Sequence, residues 1–299
     1  MGAPGPRRTG GAPLSPLSVA GGAPFSSNAG QEFAWPGPCR GAARPVTGEI
    51  ENQASYRRAT QEIRFLPTDF ERFRPELQRD RTHNAARLEV RRKLDALGKA
   101  LAKSLSGPDL ALTSRASLHH PYRFNRFRVE SQWVYLSRAE KERRELKRIL
   151  GVELGRDLDQ NYVHAILVLE IHQHGLGTAI RIHKDAWWDG ENLKRSLSAA
   201  DRREAFARLL GALPCHGLHI HDHRRIRPCA EITPEEIAET LRYYTPGEHW
   251  LHISREIPRD DPFVTDEGLP ARLEEEFRSL LPVYRSMRWS PENNFLFEG

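Results

Sequence analysis

The sequence is poor in cysteine and contains no long apolar run. Its 299 residues include 3 Cys, too few for the disulfide framework that stabilises small secreted domains. The richest apolar stretch, residues 163–171, has the length of a strand and is much shorter than the roughly 18 residues that a membrane span requires. These absences predict a cytoplasmic protein with no membrane partner.

Common catalytic motifs are also missing. The sequence has no Walker A loop, no glycine fingerprint of dinucleotide-binding folds, no nucleophile elbow, no Cys-x-x-Cys pair and no His-Glu-x-x-His. It therefore gives no support to nucleotide-driven catalysis or to the common hydrolase mechanisms. The main interpretation below requires no cofactor.

Glycine and proline concentrate at the N-terminus. Residues 1–50 contain 10 Gly and 8 Pro, and their few apolar residues follow no helical or strand period. Such a segment cannot bury enough apolar surface to offset the entropy of ordering. We predict a disordered tail over residues 1–55, followed by a single domain over residues 56–299.

Charge is distributed unevenly along the chain. The formal net charge is +5, yet residues 61–230 carry 32 basic and 22 acidic side chains, whereas residues 231–299 carry seven Arg and fifteen acids. A basic central region predicts an anionic partner such as nucleic acid. The alternative is a basic surface that is solvated or pairs with the acidic C-terminal third.

Periodicity and turn residues predict an α+β fold. Leucines recur at three- and four-residue steps over residues 82–105, as in an amphipathic helix, and Thr233-Pro-Glu-Glu236 is a capping box that starts a later helix. Residues 163–172 are apolar on both faces at their centre, as in a middle strand, and residues 174–177 form a hairpin. Further strands are predicted at 127–135, 179–183, 218–224 and 250–257, and further helices at 70–77, 138–149, 190–211 and 269–285. This order predicts a mixed, largely antiparallel sheet with helices mainly on one face.

Four short segments in the middle of the chain carry a family resemblance. They are residues 90–99 of the predicted helix, the basic lead-in His119-His120-Pro-Tyr-Arg123, the sequence Gln132-Trp133-Val134, and the apolar strand that ends in Glu170. Over residues 85–185 the chain resembles the YktB-type family of uncharacterised bacterial proteins, although it lacks that family's double-arginine and double-proline lead-in. The resemblance implies a compact α/β fold and supplies no reaction.

Arginine and aromatic residues alternate over residues 119–128. Cationic side chains bind backbone phosphates and aromatic rings stack on bases, so the pattern predicts a nucleic-acid contact. The predicted phosphate-binding residues are Arg123, Arg126 and Arg128. In the alternative, the aromatic residues are buried in the core and the arginines are solvated or face the acidic C-terminal third. The aromatic residues in question are Tyr122, Phe124 and Phe127.

Histidines are densest in Cys215-His-Gly-Leu-His-Ile-His-Asp-His223. If Leu218 and Ile220 face the core, alternate histidines share the other face of a strand, where imidazoles can chelate one metal ion. The rise of the strand strains chelation by all three, so we predict His219 and His221 as the ligand pair. A neighbouring strand supplies the third ligand: His172 in our assignment, with His174, His183 and His252 as the other available donors. The alternative is a polar sheet face with hydrated or hydrogen-bonded histidines.

A second metal arrangement uses carboxylates. Asp157 or Asp159, followed by Glu170-Ile-His172, loosely matches the acid and acid-x-base pattern of Mg²⁺-assisted hydrolysis, with His172 in place of the usual lysine. The enzymatic alternative is therefore a nuclease-like hydrolase that uses histidine and carboxylate ligands and a divalent cofactor, Zn²⁺ or Mg²⁺. The main interpretation is a cytoplasmic binding or accessory protein that contacts nucleic acid or another anionic macromolecule.

Overall fold

Seven strands form one sheet in which every named neighbouring pair is antiparallel. The computed structural model describes residues 63–155, 158, 163–214 and 217–297, so the predicted tail lies outside the described residues. The strands are β1 (Leu112–Ala116), β2 (Ser131–Arg138), β3 (Ala165–His172), β4 (Gly175–Ile182), β5 (His219–His221), β6 (Ile226–Pro228) and β7 (Leu251–Pro258). Their order across the sheet is β1-β2-β3-β4-β7-β5-β6. The predicted α+β class and largely antiparallel sheet are confirmed.

Eight α-helices accompany the sheet within the described residues. They are α1 (Pro67–Glu71), α2 (Asn84–Leu105), α3 (Glu140–Leu154), α4 (Trp187–Ser196), α5 (Ala200–Gly211), α6 (Pro234–Tyr243), α7 (Pro262–Thr265) and α8 (Leu269–Met287). Helix α2 packs against β1 and β2, and α8 packs against β3 and β4. No helix in these described ranges is both long enough and apolar enough to cross a membrane.

The two long helices α2 and α8 lie on the same face of the sheet. A Cβ atom at Gly98 of α2 would meet Val134, and Glu276 of α8 accepts a hydrogen bond from Thr178. Val134 and Thr178 both pair with Leu169 of β3, so their side chains share a face. We call the opposite side of the sheet the second face.

Strand β3 is buried on both sides of the sheet. Leu167 and Leu169 belong to the main core beneath the helices, whereas Ile166 and Val168 form a small cluster with Tyr135 on the second face. Side chains alternate along a strand, so a strand covered on both sides reads as a continuous apolar run. The prediction of a middle strand at this position is confirmed.

The strand predicted over residues 127–135 begins later than its alternation indicates. Strand β2 starts at Ser131, and Phe127 lies in the loop that precedes it. The N–H of Val129 donates to the carbonyl oxygen of Gln78 at 2.9 Å, which holds this part of the chain against the segment before α2 instead of in the ladder. The alternation of Phe127 and Val129 therefore does not reflect a strand.

The helix predicted over residues 190–211 is two helices. Helix α4 ends at Ser196 and α5 begins at Ala200. The guanidinium group of Arg203 donates to the carbonyl oxygens of Leu197 and Ser198 at 3.0 and 2.5 Å. These bonds satisfy carbonyl groups that a continuous helix would have paired internally, and they stabilise the break.

Candidate functional site

Residues 119–128, which we call the basic–aromatic loop, are held in shape by hydrogen bonds of the backbone and of one asparagine. The Oδ1 atom of Asn125 accepts the N–H of Tyr122 at 2.7 Å, and its Nδ2 donates to the carbonyl oxygen of His120 at 2.9 Å. The N–H of Phe127 donates to the carbonyl oxygen of Tyr122 at 2.8 Å. None of these bonds uses an arginine or aromatic side chain of the loop.

Two consecutive residues of this loop have left-handed backbone conformations. The φ angles of Arg126 and Phe127 are 53° and 58°, and no other non-glycine residue in the described part of the chain has a positive φ. This conformation costs about 1–2 kcal/mol per residue when a Cβ atom is present. The loop therefore contains strain that glycine would relieve at either position.

The aromatic side chains of the loop are exposed. The exposed fractions of Tyr122, Phe124 and Phe127 are 40%, 52% and 56%. The alternative interpretation that placed these rings in the core is wrong. Phe127 was placed in a predicted strand, but β2 starts at Ser131, so none of the three residues lies in the sheet.

The three predicted phosphate-binding arginines differ in their surroundings. Arg128 pairs with Glu130 at 2.9 Å, whereas Arg123 and Arg126 form no ion pair with a carboxylate of the described residues. The guanidinium carbon of Arg123 lies 4.8 Å from the ring centroid of Phe124. The loop thus presents two cations that no described acid neutralises, one of them lying against an aromatic ring.

Further positive charge lies at the start of the loop. The Nε atom of Arg91, on α2, donates to the carbonyl oxygen of Ser117 at 2.8 Å. Burial, followed by the charges of His120 and Arg91, lowers the pKa of His119. Arg91 therefore extends the basic surface from the loop to α2.

The predicted histidine pair lies on the second face of the sheet. In the pairing of β5 with β7, His221 lies opposite His252 and His219 lies opposite Ser254. Ile220 is buried in the main core, as predicted. The ring centroids of His221 and His252 are 4.6 Å apart, and Nε2 of His221 lies 3.0 Å from Oγ of Ser254. The structure therefore places His252 beside the predicted pair.

The two facing imidazoles of this cluster are neutral at pH 7. Burial, followed by the charges of His219 and Arg181, lowers the pKa of His221 to about 4. Burial also lowers the pKa of His252 well below its ordinary value, with smaller effects from Arg181 and His221. Neutral imidazole is the form that binds metals or accepts a proton.

His172, assigned as the third metal ligand, lies in a different part of the second face. Three strand spacings of about 4.8 Å separate β3 from β5. The residue of β3 that lies level with His221 across the sheet is Ile166, which pairs with Arg181 of β4; Arg181 pairs in turn with His252 of β7, opposite His221. His172 lies six residues further along β3 than Ile166. The Nε2 atom of His172 lies 2.6 Å from a carboxylate oxygen of Glu256. The structure does not bring His172 to the predicted pair.

No three His, Cys, Asp or Glu side chains within the described residues are grouped so that they could hold a metal ion. Of the carboxylate alternative, Asp157 and Asp159 lie outside the described residues. Glu170 forms an ion pair with Arg181 at 2.6 Å and accepts a hydrogen bond from Ser131 at 2.6 Å. Burial opposes ionisation of Glu170, but the charge of Arg181 and these hydrogen bonds outweigh it and lower its pKa. Both metal hypotheses stay predictions.

Sequence reasoning misplaced one residue of the histidine cluster and missed two of its neighbours. His223 was expected to share a face with His219 and His221, but it follows the end of β5 and stacks on His249 with ring centroids 3.7 Å apart. Ser254 and Arg181 were not identified as neighbours of the histidines. Alternation of side chains along β4 and β7 places Arg181 and Ser254 on the second face. Their position beside the histidines of β5 can be predicted only when the order of the strands in the sheet is known.

The sequence matches no protein-family model and no curated protein. The resemblance to the YktB-type family therefore stays a hypothesis.

Proposed function

We propose that this protein is a nucleic-acid-binding module whose contact surface is the basic–aromatic loop. Phe127 carries the proposal. An aromatic residue that is 56% exposed gains little from burial, and its left-handed backbone costs free energy. Glycine at this position would suit the fold better, so folding stability gives no reason for a phenylalanine here. Contact of the phenylalanine ring with a ligand would supply such a reason.

The hydrogen bonds within the loop support a binding role. Asn125 and the Phe127 N–H fix the loop backbone before any partner arrives. A contact surface that is already ordered avoids part of the entropy cost of association. The loop can therefore present its side chains to a partner without refolding.

Electrostatics supports an anionic partner. Arg123 and Arg126 have no described carboxylate partner, and Arg91 adds a third positive charge nearby. Phosphate contacts by such residues release condensed counterions, which makes binding depend on salt. Because Glu130 partly neutralises Arg128, we expect Arg126 to contribute more to phosphate binding than Arg128 does.

A cytoplasmic location is part of the proposal. It is supported by the low cysteine content and by Cys229, which is buried and forms no disulfide. Burial raises the pKa of the Cys229 thiol far above its ordinary value, so the thiol is unreactive. A reducing compartment that contains nucleic acid fits both observations.

The test is the anisotropy of a labelled oligonucleotide titrated with protein over a series of salt concentrations. Arg126→Ala with Arg128→Ala should weaken binding and lower the slope of log K against log salt by about 0.7–0.9 for each lost phosphate contact. The matched control is Arg144→Ala with Arg208→Ala, which removes the same charge from two exposed helical positions. Equal losses of binding affinity in the two double variants would show a general effect of net charge and overturn the proposed site.

A further inference from the structure

We infer that the nucleic acid bound by the basic–aromatic loop is single-stranded, an inference that rests on the proposed function. In a duplex, the faces of each base are covered by the neighbouring bases. Aromatic side chains can stack on bases only where these are unpaired and unstacked. A loop that exposes three aromatic residues beside its arginines therefore discriminates between the two forms.

The rings of the loop are in mutual contact but are not stacked on one another. Successive ring centroids from His119 through His120 and Tyr122 to Phe124 are separated by 4.8, 6.1 and 5.4 Å. The angles between successive ring planes are 75°, 69° and 56°. No ring in this series has another ring of the series as a parallel stacking partner. A base can supply that partner.

Phe127 is the residue best placed to stack on a base. It is more exposed than Tyr122 and Phe124, and none of the ring–ring and cation–ring contacts of the loop within the described residues involves it. Phe124, by comparison, is already in contact with the Arg123 guanidinium. Duplex DNA or RNA would engage the arginines through its phosphates but would leave the Phe127 ring without a base to stack on.

The test compares one labelled oligonucleotide alone and annealed to its complement, at a single salt concentration. We expect the single strand to bind more tightly than the duplex. Phe127→Leu should weaken single-strand binding by roughly five- to a hundredfold and leave duplex binding unchanged, since leucine keeps the apolar character but cannot stack. Phe127→Trp should retain or strengthen single-strand binding.

The outcomes separate this inference from the proposed function. Equal affinity for strand and duplex, with Phe127→Leu silent and Arg126→Ala still harmful, overturns strand selectivity and leaves the nucleic-acid site intact. Binding to neither form at low salt overturns the proposed function itself. Phosphatidylglycerol vesicles serve as a third probe. Their binding through Phe127, without binding of nucleic acid, overturns both.

Discussion

The backbone N–H of Phe127 donates to the carbonyl oxygen of Tyr122 at 2.8 Å, although Phe127 as a residue is more than half exposed. The backbone and Asn125 determine the shape of this loop, and its arginine and aromatic side chains take no part in these hydrogen bonds. Substitutions at the two sets of groups should therefore have separable effects on stability and on binding.

Phe127→Gly should raise the free energy of unfolding by about 0.5–1 kcal/mol while weakening nucleic-acid binding. Relief of the left-handed backbone outweighs the extra entropy of glycine in the unfolded chain. The matched control is Phe124→Gly, because Phe124 is similarly exposed but lies in the short 3₁₀ helix Arg123–Asn125. The control should lose about 0.5–1 kcal/mol. Urea unfolding measures the free energy of unfolding of both variants, and a loss for Phe127→Gly as large as that for Phe124→Gly would contradict the strain argument.

Asn125→Ala should destabilise the protein by about 1–2 kcal/mol, because it removes one acceptor and one donor of the loop. It should also weaken nucleic-acid binding without changing its salt dependence, since no phosphate contact is lost. Asn125→Asp keeps the acceptor for the Tyr122 N–H and should lose less stability. Unchanged binding by Asn125→Ala would show that preorganisation of the loop has no role.

Asp189→Ala should destabilise the fold by about 3–5 kcal/mol, because it removes the nearest carboxylate from the buried Arg138 and leaves only Glu142, 4.0 Å away. Asp189 also accepts the N–H groups of Ala165 and Trp289, each at 2.7 Å. Adding Arg138→Met should recover part of the loss, since the poorly compensated buried charge is then absent. Glu191→Ala on the same helix should change stability by less than about 1 kcal/mol. Chemical unfolding compares these variants, and a small loss for Asp189→Ala would show that the pair is not important for stability.

Stability should fall as the pH is lowered from about 6.5 towards 4. Burial lowers the pKa values of His164 and His221 to about 4, so over this range the unfolded chain binds protons that the folded protein does not. His221→Gln should make the loss shallower, because glutamine does not titrate. Urea unfolding at several pH values measures the slope, and an unchanged slope would contradict the burial of His221.

His172 provides a control of opposite sign. Burial opposes protonation of His172, but the hydrogen bond and charge of Glu256, with the charge of Glu170, outweigh it and raise its pKa. Its stabilisation is present below the unfolded pKa near 6.5 and is lost as the pH rises through the folded value. His172→Gln should therefore be less stable than the wild type in acid and should approach it at alkaline pH.

Local sequence signals predicted the elements that depend on local chemistry. The capping box at Thr233 is confirmed, with the hydroxyl of Thr233 accepting the N–H of Glu236 at 3.2 Å and the Glu236 carboxylate accepting the N–H of Thr233 at 3.0 Å. Strand β1 (Leu112–Ala116) and strand β6 (Ile226–Pro228) were not predicted. Each is short and lies at an edge of the sheet, so it shows little hydrophobic alternation.

The sites depended on information that the sequence does not carry locally. Alternation correctly predicted that His219 and His221 share a face, but their neighbour His252 follows from β5 pairing with β7, a non-local arrangement. Exposure of the Phe127 ring was not predictable, because apolar residues spaced two apart look the same in a loop as in a strand. The left-handed backbone at Arg126 and Phe127 has no sequence signal, since neither residue favours it.

The most direct measurement is photochemical cross-linking of a thiouridine-containing single strand to the full chain, followed by mass spectrometry of the linked peptides. The strand should cross-link within residues 119–128, and Phe127→Leu should reduce the yield while the control Arg144→Ala with Arg208→Ala leaves it unchanged. Cross-links confined to other parts of the chain, with none in the basic–aromatic loop, would contradict the account.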